Sequence, residues 1–493
     1  MARVVRVIGD ATVTRGYGHL GVRGGRRLRC AGPFRDRLRH LHTSRGEHHT
    51  VSDHAASDDG AASDDPTSER SPTSSPGASA LHGLLRCAPV LLVLSVLGRL
   101  AWTLLSPNGM NLVDLHVYVD GSEALRGGSL YDFTYSEVTP DFPLPFTYPP
   151  FAALVFFPLH FLPFPLVGVG WQLLTILALY ALARMSLGLV LGDAARSPHW
   201  RAVAVLWTTV GVWVEPVRTT LDYGQINVFL ALLVMTAVRS SRWWLSGALV
   251  GFAAGIKLTP AITGLYFLMQ RRWKAAVFSG VAFAATVGVS YLLIGSEARE
   301  YFTHLLGDAD RIGPVGSVWN QSLRGALSRL LGYDVETGAL WLLAVAVTAV
   351  LAVLAWRAIA RDDRLGTLVI VELLGLLVSP ISWSHHWVWV IPMLIWLLHG
   401  PYGSMLGTRI LAGYWLVTTL IGVPWVLSFF QDSIWLISRP AVLAWLGTVD
   451  VVGAFGVYAW VAYAGRRPKR AVAAAPVSPP VSRSAQQDPD PAA

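Results

Sequence analysis

The sequence has little charge and almost no cysteine. Of its 493 residues, 14% are charged and 53% are hydrophobic, a composition too apolar for a soluble protein of this length. Its two cysteines, Cys30 and Cys87, lie far apart, which argues against a disulfide framework and against a cysteine zinc site. The alternating strands of a membrane β-barrel are also missing. The composition therefore indicates an all-α polytopic membrane protein.

Long apolar runs occupy the chain from about residue 84 to residue 464. Runs of roughly 17 to 25 residues can each cross a hydrocarbon layer about 30 Å thick, and their count predicts a bundle of about 12 transmembrane helices. We place this domain at residues 81–466. Residues 1–80 and 467–493 cannot bury a core and are expected to be disordered cytoplasmic tails. The Pro-rich part of 149–191 is expected to be re-entrant or broken.

The distribution of the net charge of +8 predicts the orientation in the bilayer. Arginine and lysine gather in the tails and in short loops, such as Arg239 with Arg242, which the positive-inside rule places in the cytoplasm. This pattern fits a lipid bilayer better than it fits nucleic acid. The loop after the first span, residues 106–148, is acidic and is expected outside. Both termini of this multi-pass cell-membrane protein are then cytoplasmic.

An acidic stretch directly after the first apolar run contains Asp114. An unpaired carboxylate at the end of a membrane span must meet water or a polar cavity, because desolvating it costs several kcal/mol. Leu112, Leu115 and Val119 recur at helical spacing around it, which predicts a short amphipathic helix on the outer surface. Asp114 is therefore the first candidate for the chemistry.

Four further polar clusters interrupt the apolar pattern on the predicted outer side of the membrane. Because they share that side with Asp114, we expect them to converge on one cavity. In chain order the clusters contain Gln225 with Asn227, then Lys257, then Asn320 with Arg324, and last Trp383, His385 and His386.

Several members of these clusters also have a purely structural explanation. Lys257 could extend its ammonium group to the membrane interface. Gln225 and Asn227 could cap the following helix and hydrogen-bond a neighbour. The tryptophans fit an interfacial belt as well as they fit sugar stacking.

Metal binding is weakly indicated at two places. His385 and His386 are adjacent, so their side chains point to different helix faces, and no carboxylate follows at ligand spacing. Asp308 and Asp310 look like the carboxylate pair that holds a metal in nucleotide-sugar enzymes, but so short a pattern is common by chance. We therefore expect no metal.

Together these motifs resemble glycosyltransferase family 87, within the C-type membrane glycosyltransferases. The resemblance covers about residues 84–464 and rests on the order, spacing and shared side of the motifs. They run from Asp114 to Tyr118, Phe146 to Pro150, Gly224 to Asn227, Lys257 to Pro260, Asn320 to Ser322 and Ser379 to His386. The resemblance implies a C-type fold whose first outer loop carries the catalytic acid.

The same resemblance implies the activity. Family members transfer mannose from a polyprenyl-phosphate-sugar donor to a glycolipid or glycan acceptor, here with inversion to an α linkage, expected to be 1,2. The family's general base matches Asp114. The expected partners of the donor phosphate are Lys257, His385, His386 and Arg324, and those of sugar and acceptor are Tyr118, Tyr148, Gln225, Asn227, Asn320 and Trp383. No cofactor is required, since side-chain cations can neutralise a monophosphate leaving group.

Two other functions are consistent with a polar cavity in a membrane protein. A secondary transporter or flippase of lipid-linked sugars would use these residues to line an alternating-access path. Against it, the clusters lie on one side and the sequence has no internal repeat. A non-catalytic scaffold of an envelope complex does not explain so many polar interruptions. The donor sugar, mannose or arabinose, is not decided by the sequence.

Overall fold

Helices make up most of the structure, as the apolar composition predicts. The computed structural model describes residues 76–105, 111–127, 130–139 and 142–466. The predicted tails, 1–80 and 467–493, lie outside the described residues except for 76–80, which already belong to the first helix.

The described residues of the first part of the chain, 76–294, form ten α-helices. They are α1 Pro76–Leu105, α2 Val113–Glu123, α3 Pro150–Phe156, α4 Phe164–Leu191, α5 Pro198–Gly211, α6 Glu215–Tyr223, α7 Asn227–Arg239, α8 Trp243–Ile256, α9 Thr263–Met269 and α10 Trp273–Ile294. Two short strands in the loop after α2, β1 Thr134–Tyr135 and β2 Leu144–Pro145, pair antiparallel with Thr134 opposite Pro145.

Residues 295–466, the rest of what the structure describes, add nine α-helices. They are α11 Ser296–Glu300, α12 Leu323–Leu331, α13 Ala339–Ala358, α14 Arg364–Val378, α15 Val390–His399, α16 Leu406–Ile421, α17 Val423–Ser428, α18 Ala441–Leu446 and α19 Val449–Ala464. Short 3₁₀ turns lie at Ala124–Arg126, Phe157–Phe161, Gly192–Arg196, Thr259–Ile262 and Ser384–Trp389, and one π turn lies at Tyr301–Leu305.

Several helices are long and apolar enough to cross a membrane, so the chain is a membrane protein. Within the described residues there are five such stretches, at 82–105, 164–196, 273–294, 339–358 and 406–428. The α6–α7 pair, bent by 119°, makes a sixth if it is counted as one span. The other apolar helices are shorter, and the count of about 12 crossings stays a prediction.

The Pro-rich segment that was predicted to be broken forms two short pieces. Helix α3 passes into the 3₁₀ turn Phe157–Phe161, and the chain is extended again at Leu162 before Pro163. At about 1.5 Å per α-helical residue and about 2 Å per 3₁₀ residue these pieces rise about 20 Å, which is less than a hydrocarbon layer of about 30 Å. This segment therefore does not cross a bilayer as a single helix.

Helix α2 forms where it was predicted, but its apolar face packs inside the protein. Leu112, Leu115, Tyr118 and Ser122 are fully enclosed. Aromatic residues of the following loop, among them Phe146, join α2 in a hydrophobic cluster of their own. This cluster encloses the apolar face of α2, whereas Asp120 and Glu123 lie at its exposed edge.

The start of α2 lies on the turn between α6 and α7. The backbone N–H of Leu112 donates to the carbonyl of Asp222 at 3.2 Å. Gly224 ends α6 with φ +72°, and a Cβ built there would lie 2.5 Å from Cβ of Leu115. Only glycine combines this left-handed conformation with so close an approach.

We predict that Gly224→Ala destabilises the protein by about 2 kcal/mol or more, because it adds left-handed strain to a clash with α2. The measurement is the thermal unfolding midpoint in detergent. Gly288→Ala in α10 is the matched control, since a Cβ there meets no atom within 4 Å. Equal midpoints for the two variants would contradict the close packing of α2 on this turn.

Candidate active site

A cavity of about 730 Å³ opens beside α2 and the α6–α7 turn. The loop before α3, the turn after α8, the loop between α11 and α12 and the segment between α14 and α15 also line it. The predicted site residues that line it are Asp114, Tyr148, Gln225, Lys257, Trp383, His385 and His386. The structure thus brings together residues from five separate stretches of the sequence.

Asp114 lies in the first turn of α2 with its carboxylate in the cavity. Burial raises its pKa above the ordinary carboxyl value, whereas a hydrogen bond from Gln225 and the charge of Lys257 lower it. The next acid of α2, Asp120, has a side chain that is 41% exposed and lies 2.8 Å from Nδ1 of His116. The two carboxylates therefore occupy different environments: Asp114 is half-buried at the cavity wall, and Asp120 lies towards solvent.

Lys257 is enclosed rather than extended towards the membrane interface. Its residue is 7% exposed, and Nζ donates to Oε1 of Gln225 at 3.2 Å and to Oδ1 of Asn227 at 3.0 Å. The ammonium group also lies 5.5 Å from the ring centroid of Tyr148. Since a desolvated cation needs such acceptors, the interfacial explanation of Lys257 was wrong.

Gln225 and Asn227 likewise do not cap the following helix. The N-cap residue of α7 is Ile226, which makes no side-chain cap bond. Besides binding Lys257, Asn227 donates through Nδ2 to the backbone carbonyl of His385 at 2.8 Å. The two amides instead join the α6–α7 turn to Lys257 and to the histidine segment.

Two tyrosines support this network. The hydroxyl of Tyr118 lies 2.8 Å from Oε1 of Gln225 and 3.2 Å from the hydroxyl of Tyr148. Tyr118 is fully buried and lies behind the cavity wall, whereas Tyr148 lines the cavity. Tyr118 was expected to bind sugar, but it is placed to orient Gln225.

His385 and His386 lie in the 3₁₀ turn Ser384–Trp389, with ring centroids 4.8 Å apart. Burial lowers the pKa of both imidazoles, and the charge of Lys257 lowers it further. In the part of the chain that the structure describes, Nε2 of His385 and Nδ1 of His386 are enclosed without a hydrogen-bond partner. Both rings are therefore available to a ligand or to water.

The side-chain amide of Asn320 bonds to the protein backbone and is not exposed in the cavity. Its Nδ2 donates to the carbonyl of Val315 at 3.1 Å, and its Oδ1 accepts from the backbone N–H of Ser382 at 2.9 Å. A β-bridge joins its backbone to that of Trp383. Asn320 thus positions the segment that carries Trp383 and is not placed to bind a sugar itself.

Arg324 is also absent from the described cavity wall. Its Nε and Nη2 donate to the two carboxylate oxygens of Asp334 at 3.0 and 2.7 Å, and Asp310 lies 3.5 Å away. This bidentate ion pair satisfies the guanidinium group. The expected contact of Arg324 with the donor phosphate was therefore wrong, because a partner ten residues downstream takes the same donors.

Arg311 is a cavity residue that the sequence analysis missed. It lines the wall, donates through Nη2 to the carbonyl of Tyr131 at 3.1 Å and lies 5.8 Å over the ring of that tyrosine. Its only sequence signal is a position next to the acidic pair. Of that pair, Asp308 lines the cavity, whereas the side chain of Asp310 is 86% exposed.

A second missed residue is Arg99, in the last third of the apolar helix α1. It is fully buried and forms an ion pair with Asp222 at the end of α6. A charge inside a membrane span is a signal that sequence reasoning can use. For metals, no group of three His, Cys, Asp or Glu side chains that could hold an ion occurs among residues 76–105, 111–127, 130–139 and 142–466.

A family profile and individual relatives both indicate a glycosyltransferase. The family profile of glycosyltransferase family 87 matches residues 146–380. A polyprenol-phosphate-mannose-dependent α-(1-2)-phosphatidylinositol pentamannoside mannosyltransferase of Mycolicibacterium smegmatis is 58% identical over 79% of this chain and 94% of its own length. A phosphatidylinositol mannoside mannosyltransferase of Mycobacterium tuberculosis is 35% identical over 63% of this chain and 75% of its own.

A more distant relative is named for a different sugar, arabinose. An α-(1->3)-arabinofuranosyltransferase of Mycobacterium tuberculosis is 27% identical over 51% of this chain and 59% of its own length. No solved structure matches the chain significantly.

Proposed function

Because the chain belongs to glycosyltransferase family 87, we propose that it transfers mannose from polyprenyl-phosphate mannose to a phosphatidylinositol mannoside, with inversion to an α-(1-2) linkage. The name of the relative that is 58% identical supports this donor and this class of acceptor over arabinose. The observation that carries the proposal is the half-buried carboxylate of Asp114, which lines one large cavity together with Gln225 and Lys257.

Asp114 is the proposed general base. An acceptor hydroxyl oxygen attacks the anomeric carbon, its proton passes to the carboxylate, and the bond to the phosphate oxygen breaks with its electron pair remaining on the phosphate. One displacement of this kind inverts the β-linked donor to an α product. Burial favours the role, because it makes Asp114 more basic than an exposed carboxylate.

Cationic and polar side chains around the cavity are the proposed partners of the departing phosphate. Lys257, His385 and His386 keep the role expected from the sequence, and we add Arg311 in place of Arg324. Preorganised donors of this kind stabilise charge that develops in the transition state without reorganising. The chemistry then proceeds without a cofactor, by positioning and charge.

Sugar rings are proposed to stack on Tyr148 and Trp383, which line the cavity. Gln225 also lines it and offers an amide to a sugar hydroxyl. Asn227 and Tyr118 are assigned to supporting these groups, in keeping with their bonds to Lys257 and Gln225.

The direct test uses purified protein in liposomes with synthetic polyprenyl-phosphate mannose and a phosphatidylinositol mannoside. We expect a product that is one mannose longer, with an α-(1-2) bond in its linkage analysis. A lipid-linked sugar that crosses the bilayer without any transfer would instead support a flippase.

We predict that Asp114→Asn lowers the turnover number by about 10²–10⁴-fold while folding and donor binding are retained, because the change removes basicity but keeps size. Steady-state kinetics with both lipids provides the measurement. Asp120→Asn is the control on the same helix and should have a mild effect, since that carboxylate lies towards solvent. If Asp120→Asn abolished transfer and Asp114→Asn did not, the base would be wrongly assigned.

We predict that Lys257→Ala lowers kcat/KM for the donor by about 10- to 150-fold. The change removes one charge-assisted contact to the phosphate, which contributes roughly 1.5–3 kcal/mol. Lys274→Ala, at an exposed position near the start of α10, is the matched control for loss of one lysine. Unchanged donor kinetics in a folded Lys257→Ala protein would remove Lys257 from the phosphate site.

The proposed location is the cell membrane, with the cavity on the extracytoplasmic face and both termini in the cytoplasm. In a background without Cys30 and Cys87, we predict that Ser136→Cys reacts with an impermeant thiol reagent in intact cells. Ser241→Cys, in the loop between α7 and α8, should react only after permeabilisation. Both positions are exposed. The opposite labelling pattern would invert the topology.

A further inference from the structure

A second, much smaller cavity adjoins the main one. It has a volume of about 30 Å³. The two cavities share part of their walls, namely Thr259, Ile262, Gly375, Ser379 and His386. A buried water needs about 10–15 Å³ of such volume and two to four polar partners. The small cavity therefore has the size of a site for one or two water molecules.

Glu372 lines this small cavity from the apolar helix α14. It is 4% exposed, and its Oε1 accepts a hydrogen bond from the hydroxyl of Thr263 at 2.8 Å. A buried carboxylate is costly unless its remaining lone pairs are also satisfied. The Thr263 hydroxyl serves one oxygen, so the other must find a donor, and the small cavity is where Glu372 meets open space.

Two enclosed polar atoms of the same wall lack a partner among the described residues. They are Nδ1 of His386 and Oγ of Ser382. Buried polar groups in native proteins are almost always hydrogen-bonded, to protein or to ordered water. A carboxylate, a hydroxyl and a ring nitrogen around a water-sized space supply the three partners that a buried water typically has.

We propose that Glu372 is a positioning residue for His386 and acts through one water held between Glu372, Ser382 and Nδ1 of His386. Nδ1–H donates to the water, and the water donates to the carboxylate. The proton of the neutral ring is thereby held on Nδ1. Nε2 remains as the nitrogen that meets a ligand in the main cavity.

The consequence for catalysis rests on the proposed function. When the donor phosphate binds at Nε2, the ring is held between the phosphate on one side and the water on Glu372 on the other. Lys257 and His385 face the same ring and disfavour its protonation in the free enzyme. By holding the proton on Nδ1, Glu372 keeps Nε2 free to face the phosphate while negative charge develops there.

The first test is a double-mutant cycle of Glu372→Gln and His386→Gln, read as kcat/KM for polyprenyl-phosphate mannose. Each single change should lower it by about 10- to 100-fold, and the double variant should be no worse than His386→Gln alone. Glu372→Asp should retain most of the activity. Effects that multiply would show that Glu372 acts independently of His386 and would overturn the proposal.

The matched control is Asp450→Asn, another buried carboxylate, which lies outside the described walls of both cavities. Its effect should multiply with that of His386→Gln. If Asp450→Asn combined with His386→Gln in the same non-additive way as Glu372→Gln, general loss of folding would explain the cycle, and the proposal would fall.

The second test does not depend on mannose transfer. In protein labelled with ¹⁵N-histidine, the His386 resonances are assigned by their loss in His386→Gln. We expect Nδ1 to carry the proton in the unmodified protein and expect Glu372→Gln to shift the ring towards the Nε2–H tautomer. An unchanged tautomer would overturn the proposal. An inactive protein with the expected tautomers would instead contradict the proposed function alone.

Discussion

One desolvated ammonium group holds the site together. Lys257 lies at the end of a helix, where it is largely enclosed and needs acceptors inside the protein. Gln225 and Asn227 supply them from a single turn. Through these amides the same charge is linked to Asp114 on α2 and to the backbone of His385. Four distant segments are thereby fixed around one point, and removing the ammonium would leave several polar groups without partners.

The polar residues around Lys257 are of two kinds. Some line the cavity, and others hydrogen-bond to the protein groups that form its wall. Asp114, Arg311 and His386 are in contact with the cavity. Tyr118 and Asn320 use their hydrogen bonds on neighbouring protein groups. A supporting set of this kind keeps the reacting groups in position before substrate arrives, which is the main requirement when catalysis depends on charge placement.

Much of the site could be predicted from sequence. Polar residues within apolar segments are energetically unfavourable, so their positions indicate functional sites. Asp114, Lys257 and the histidine pair stood out for this reason, and all four line the cavity. Helix α2 was predicted from spacing alone. Its burial was not, because the cover comes from Phe146 and other aromatics more than twenty residues away, and periodicity carries no information about such a partner.

The sequence by itself determined the class of protein and the residue types at the site: an apolar composition demands a helical membrane bundle, and intramembrane charges demand a polar environment. Only the tertiary structure decided which cation meets the cavity. Arg324 and Arg311 lie in the same region of the chain, but one is satisfied by Asp334 and the other rests against Tyr131 at the cavity wall. Glu372 gained its place beside His386 in the same way. Hydrogen-bond donors are satisfied by whichever acceptor packing brings near, and that choice is made in three dimensions.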